Sequence, residues 1–121
     1  CAVDKNALQS DVLRYAFDFV NEYPVTLVLK GMRTLILEKG RLRINTTGNE
    51  GLAKGGSGDV LCGMITALMA QQKQAFDAAS LGVYLHGLAA DLQSQHTAFY
   101  AMTANELIQG ISDAFLAAMD E

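Results

Sequence analysis

The sequence predicts an α/β fold, and three observations carry that prediction. A short apolar run at residues 25–30 ends in Lys-Gly, two further β-prone stretches flank a Glu-Lys-Gly turn at residues 38–40, and a glycine-rich segment runs straight into an apolar helix at residue 59. The chain has 121 residues, half of them apolar and 18% charged, which is enough for a single domain with a real core. No internal repeat, low-complexity segment or linker divides it.

Residues 11–22 place Val12, Leu13, Ala16, Phe17 and Val20 on one face at helical spacing, with Ser10 as N-cap. Pro24 stops this helix. The run 25–30 reads as a strand buried on both faces, and its C-terminal end is where open α/β sheets place ligands. Residues 35–37 and 41–44 read as a hairpin in which Gly40 supplies the turn. From Asp59, the positions Val60, Leu61, Met64, Ile65, Leu68 and Met69 recur at helix spacing. Gly63 and Ala67 would permit close packing there, and Cys62 reads as a buried small residue. Asp77 opens a further helix of small and branched residues that should pack beside it. Thr103 to Glu106 fits a capping box for a last helix presenting Leu107, Ile108, Ile111, Ala114, Phe115 and Ala118.

The most informative segment is residues 45–64, in which Gly55, Gly56, Ser57, Gly58 and Asp59 lead into the helix. Glycines let backbone approach a ligand closely, and the first N–H groups of a helix have no partners within it. Together with the helix dipole these form a cradle for phosphate oxygens. Asp59 then stands where a carboxylate could deprotonate a hydroxyl attacking a phosphoryl group. A glycine turn followed by an acidic first-turn residue is the plainer reading of the same letters. A Walker A loop is excluded because no Lys follows the last glycine, and a dinucleotide fingerprint is weak because Asp59, Val60 and Leu61 follow Gly58 without a third glycine.

A net charge of −4 without a basic patch argues against nucleic-acid binding. Cys1 and Cys62 form neither a disulfide framework nor a metal pattern. No apolar run reaches the roughly 18 residues of a membrane span and no secretory signal is visible, so the expectation is a cytoplasmic protein. His86 and His96 read as structural, since nothing with metal-ligand spacing accompanies them. Asp91 reads as a helix-surface or supporting group.

Lys30-Gly31-Met32-Arg33-Thr34, residues 45–64 and residues 81–91 together, in order and spacing, resemble the C-terminal half of the ADP- or ATP-dependent NAD(P)H-hydrate dehydratases of the ribokinase-like superfamily. The resemblance covers most of the chain from about Thr26 onward. It departs from the family pattern at Thr46 and Glu50, where Pro is usual, and at Lys54, where a small hydroxyl residue is usual. It implies that residues 1–121 are the C-terminal part of one ribokinase-like three-layer α/β/α domain. An N-terminal half is then missing, or the domain is completed by a partner such as a second copy in a homo-oligomer.

The resemblance further implies that nucleotide is bound by Lys30, Gly31, Met32, Arg33 and Thr34 together with Asn49, Glu50, Gly51, Leu52, Ala53, Lys54, Gly55, Gly56, Ser57 and Gly58. Asp59 would contact the substrate, NADH-hydrate or NADPH-hydrate, and act as the base. ADP or ATP with Mg²⁺ would be required, and no dedicated metal site is present in the sequence. Two other readings fit the glycine segment: a small-molecule alcohol kinase of the same superfamily, and a nucleotide-binding module without catalysis.

Overall fold

The computed structural model describes residues 5–31, 33–49, 52, 56–71, 73–95 and 103–119. Among the described residues the elements follow in the order α1 (Lys5–Glu22), β1 (Leu27–Leu29), β2 (Leu35–Glu38), β3 (Arg41–Ile44), α2 (Ser57–Ala70), α3 (Ala75–Gln93) and α4 (Ala104–Met119). The strands form one sheet in the order β1-β2-β3, antiparallel throughout. The connections between these strands are too short for the crossover of roughly a dozen or more residues that parallel neighbours need. The hairpin turns at Gly40, whose φ of 79° is a left-handed value that glycine adopts without a steric penalty.

Alternation along the strands divides the interior into two. Leu27 and Leu29 of β1 and Leu35 and Leu37 of β2 pack with Ala16, Phe17 and Val20 of α1. Val28 and Ile36 point the other way, into Leu61 and Ile65 of α2 and Phe76, Ala79 and Val83 of α3. The sheet is thus sandwiched between helices. A third cluster, built on Leu85, Ala89 and Ala90 of α3 with Leu107 and Ala114 of α4, holds α4 to α3. Two glycines set the helix spacings. A Cβ on Gly82 would come within 2.7 Å of Ile65 Cγ1, and one on Gly110 within 2.7 Å of the Ala89 carbonyl oxygen.

Several sequence expectations are corrected. Helix α1 begins at Lys5 rather than at residue 11, and Asp11, at φ −117° and ψ 17°, marks a kink where two helical segments meet. On that helix Ala16 and Val20 are buried, whereas Val12 and Leu13 are exposed. Strand β1 has apolar side chains on both faces and is half-buried, and among the described residues it pairs with β2 alone. Cys62, Gly63, Ala67 and Met69 face solvent. The close approach expected of Gly63 and Ala67 is made instead by Gly82 across the same interface. Helix α2 therefore lies against the core on one side, with Leu61, Met64 and Leu68 buried, and is not enclosed by it. Ile108 and Phe115 of α4 are likewise exposed. The capping box is present in altered form. The Glu106 N–H donates to Thr103 Oγ1 at 3.3 Å, while the Thr103 hydroxyl lies 3.2 Å from the Glu106 carboxylate, so Glu106 reaches the hydroxyl and not the backbone.

Candidate functional site

Helix α2 starts sharply. Gly56 takes φ 89° immediately before it, a left-handed turn that swings the chain into the first helical residue. The first bond of the helical ladder runs from the Val60 N–H to the Gly56 carbonyl at 3.1 Å. The N–H groups of Ser57, Gly58 and Asp59 lie ahead of it and have no acceptor within the helix. Asp59 is exposed in this first turn. Ser57 is buried, and its hydroxyl donates to the Leu52 carbonyl at 2.5 Å, so its side chain braces the preceding loop.

Lys30 follows the last residue of β1 and reaches this turn. Its Nζ lies 3.1 Å from where a Cβ on Gly58 would be, so the absence of a side chain at Gly58 makes room for the ammonium group. A positive charge and a row of helix-start N–H groups meet at one spot, an arrangement suited to an anion.

Beside this spot opens a cavity of about 580 Å³. Its lining brings together five of the sequence-expected residues: Lys30, Gly31, Thr34, Asn49 and Leu52. Arg33 is exposed outside it, and Gly56, Ser57, Gly58 and Asp59 do not contribute to its wall. Met32, Glu50, Gly51, Ala53, Lys54, Gly55 and His96 lie outside the described residues. The rest of the lining, Asn45, Thr47, Gly48, Leu61, Val83 and His86, lies outside the binding residues that the sequence implies. Of these, Asn45, Thr47 and Gly48 come from the segment after β3, Leu61 from α2, and Val83 and His86 from α3.

His86 is the buried polar group of this wall, and its Nε2 lies 2.9 Å from the Ser57 carbonyl oxygen. A carbonyl only accepts, so the geometry assigns the proton to Nε2. Burial lowers the imidazole pKa from its ordinary 6.5, the nearby Lys30 charge lowers it further, and the bond to Ser57 opposes both. The ring is therefore held as a neutral donor. The structural role expected of His86 is what is seen, but at a specific place, the first turn of α2.

The segment after β3 is fastened to α3. The Thr47 hydroxyl lies 2.9 Å from the Tyr84 carbonyl and 3.2 Å from Asn45 Oδ1, and the Gly48 N–H and Asn49 Nδ2 donate to the two oxygens of Asp91 at 2.9 and 3.1 Å. Gly87 lies between these points, and a Cβ there would come within 2.1 Å of Thr47 Oγ1. A sequence signal for this existed. Tyr84, Gly87 and Asp91 recur at three- and four-residue steps, which puts them on one face of a helix.

The helices on both faces of the sheet and the anion-suited turn fit part of an α/β domain, and the solved structures similar to the chain place it in the ribokinase-like class. A solved structure of a ribokinase-like superfamily protein from Enterococcus faecalis aligns with a TM-score of 0.74 at 32% identity, over 86% of this chain and 36% of its own. More narrowly, the chain belongs to the NAD(P)H-hydrate dehydratase family, whose model matches residues 1–113. It is 43% identical over 102 residues to the bifunctional NAD(P)H-hydrate repair enzyme of Moorella thermoacetica, covering 84% of this chain and 19% of that one. It is also similar to the ADP/ATP-dependent NAD(P)H-hydrate dehydratase of Bacillus subtilis co-crystallised with ATP and Mg²⁺. There the TM-score is 0.85 at 34% identity, over 93% of this chain and 41% of that one. The chain thus spans less than half the length of these relatives.

Proposed function

We propose that residues 1–121 are the C-terminal, nucleotide-side part of one domain that dehydrates NADH-hydrate or NADPH-hydrate back to NADH or NADPH with ADP or ATP. The observation that carries this reading is the meeting of Lys30 Nζ with Gly58 at the head of α2, next to Asp59. A phosphate group is the ligand whose charge and acceptor oxygens match that place. Lys30 and the N–H groups of Ser57 to Asp59 would hold the phosphates, and the 580 Å³ cavity would take the remainder of the nucleotide. Mg²⁺ would be carried on the nucleotide phosphates, as is usual for that ion.

When bound, the nucleotide with Mg²⁺ supplies a phosphoryl group that converts the substrate hydroxyl into a good leaving group. Asp59 accepts the hydroxyl proton. The α2 N–H groups and Lys30 are already oriented toward negative charge that develops in transfer, so little reorganisation is needed. His86 holds the Ser57 carbonyl and with it the position of the turn that carries Asp59. In this reading the protein serves the nicotinamide cofactors of the cytoplasm.

The test is recovery of reduced-nicotinamide absorbance from hydrated NADH or NADPH with ADP or ATP. It should be run on the 121-residue chain and on a chimera that supplies the preceding part from the Bacillus subtilis relative. We expect activity in the chimera and none in the short chain, which lacks the opposite wall of the substrate site. A chimera that binds nucleotide but accumulates a phosphorylated small alcohol would replace the dehydratase with a kinase. Full activity of the short chain, as a homo-oligomer or alone, would overturn the need for an N-terminal half.

A further inference from the structure

We infer that Asp91 is a positioning residue: through Gly48 and Asn49 it holds the 45–49 segment in the shape that binds nucleotide, with α3 acting as a rigid template. This rests on the function proposed above, and four contacts support it.

Asp91 is half-buried on α3, and each of its two carboxylate oxygens takes one bond from the segment. One comes from the Gly48 N–H at 2.9 Å and the other from Asn49 Nδ2 at 3.1 Å. Four residues earlier, Gly87 has no side chain, and the space is filled by Thr47, whose Oγ1 would lie 2.1 Å from a Cβ there. One turn before that, the Tyr84 carbonyl faces the Thr47 hydroxyl at 2.9 Å. Gly48 itself sits at φ 108°, a conformation that L side chains rarely adopt.

The segment therefore meets α3 at a carbonyl, a hollow and a carboxylate in consecutive turns. None of these three sites lines the cavity, whereas Asn45, Thr47, Gly48 and Asn49 all do. The helix face acts through the segment and not on the ligand. A carboxylate suits the task because it only accepts, and here it meets two donors at once, with charge-assisted bonds stronger than neutral ones. Loss of Asp91 removes both of these bonds, and the segment becomes an ensemble in which the binding shape is a fraction. Nucleotide affinity falls by that fraction.

The experiment uses the protein as expressed from its own gene, as wild type, Asp91→Ala, Asp91→Asn and Gly87→Ala. Amide hydrogen exchange at Gly48 is measured without ligand, and ADP affinity by calorimetry. Asp91→Ala should exchange Gly48 faster and bind ADP about tenfold more weakly, the scale of one charge-assisted bond. Asp91→Asn keeps one acceptor oxygen and should fall between Ala and wild type. Gly87→Ala, which displaces Thr47 while leaving Asp91 intact, should weaken ADP in the same direction.

Wild-type exchange at Gly48 in Asp91→Ala would overturn the inference. So would faster exchange with unchanged ADP affinity, because the segment would then be loosened without consequence for the site. Slower exchange or tighter ADP binding in Asp91→Asn than in wild type would also overturn it. Wild-type protein that fails to bind ADP, while Asp91→Ala still accelerates Gly48 exchange, would retain the fastening of the segment but remove the nucleotide reading and with it the role in binding.

Discussion

His86 Nε2 stands 2.9 Å from the carbonyl oxygen of Ser57, joining the middle of α3 to the first turn of α2. The bond needs a proton on Nε2 but no charge on the ring, and burial disfavours that charge. The residue thus fixes a glycine-flanked helix start to a packed helix, and it does so in its neutral form.

Stability should accordingly depend on pH. The folded-state pKa of His86 is lowered from its ordinary 6.5, so between the two values the unfolded chain binds more protons at this group than the native one. The native state is then fully favoured above about 6.5, and stability is lost as pH falls through the lowered pKa. Below that the contribution is flat. Chemical denaturation of wild type and His86→Gln across this window should show the extra slope in wild type alone. Parallel curves would remove His86 as its source.

In the chimera, Asp59→Asn keeps the shape of the turn and removes the proton acceptor. ADP affinity should be nearly retained while turnover falls by roughly 10² to 10⁴, the scale of a general base. Turnover at the wild-type level would take Asp59 out of the reaction.

Lys30 and Gly58 should behave as one unit. Gly58→Ala would place a methyl group 3.1 Å from the present position of Lys30 Nζ, pushing the flexible ammonium aside. Nucleotide affinity should fall by about threefold to tenfold, corresponding to roughly 1 kcal/mol. Lys30→Ala should weaken binding as well, and in that background Gly58→Ala should add little. Calorimetric titration of the two single variants and the double variant reads the coupling directly, and additive losses would mean that the two residues act separately.

Two glycine-to-alanine changes should have opposite signs. Gly110→Ala drives a Cβ to 2.7 Å from the Ala89 carbonyl oxygen, a backbone atom that cannot turn away. It should destabilise by about 1–3 kcal/mol through overpacking between α3 and α4. Gly63→Ala adds a methyl in open space on the exposed side of α2, and it should stabilise by about 0.4–1 kcal/mol because it restricts the unfolded chain. Unfolding midpoints in urea decide both.

Local pattern explains what could be read from the letters. Helical spacing located α1 through Val20 and α2 through Leu61, Met64 and Leu68, and the Lys-Gly turn located the hairpin, because these signals act over a few residues. The faces of helices were less legible. Cys62 and Met69 share the apolar periodicity of α2 yet point outward, since the width of a buried stripe depends on which neighbours cover it. In the site, Lys30 and Gly58 were legible through a combination of motifs. For the fastening of Thr47 to Gly87 and of Gly48 to Asp91 the spacing shows only that Tyr84, Gly87 and Asp91 share a helix face; their partners are distant in the chain, and only the folded helix α3 sets that register.

Strand β2 carries a consequence for cooperativity. Ile36 and Leu37 are adjacent in sequence and almost completely buried, one in the cluster beneath α2 and α3 and the other in the cluster beneath α1. Neither cluster can open without exposing a neighbour of the other along the same backbone. Local openings that would otherwise release α1 alone are thereby joined to the melting of the opposite layer. The β2 amides should report the slowest motions of the molecule, and the two sides of the sheet should share one unfolding event.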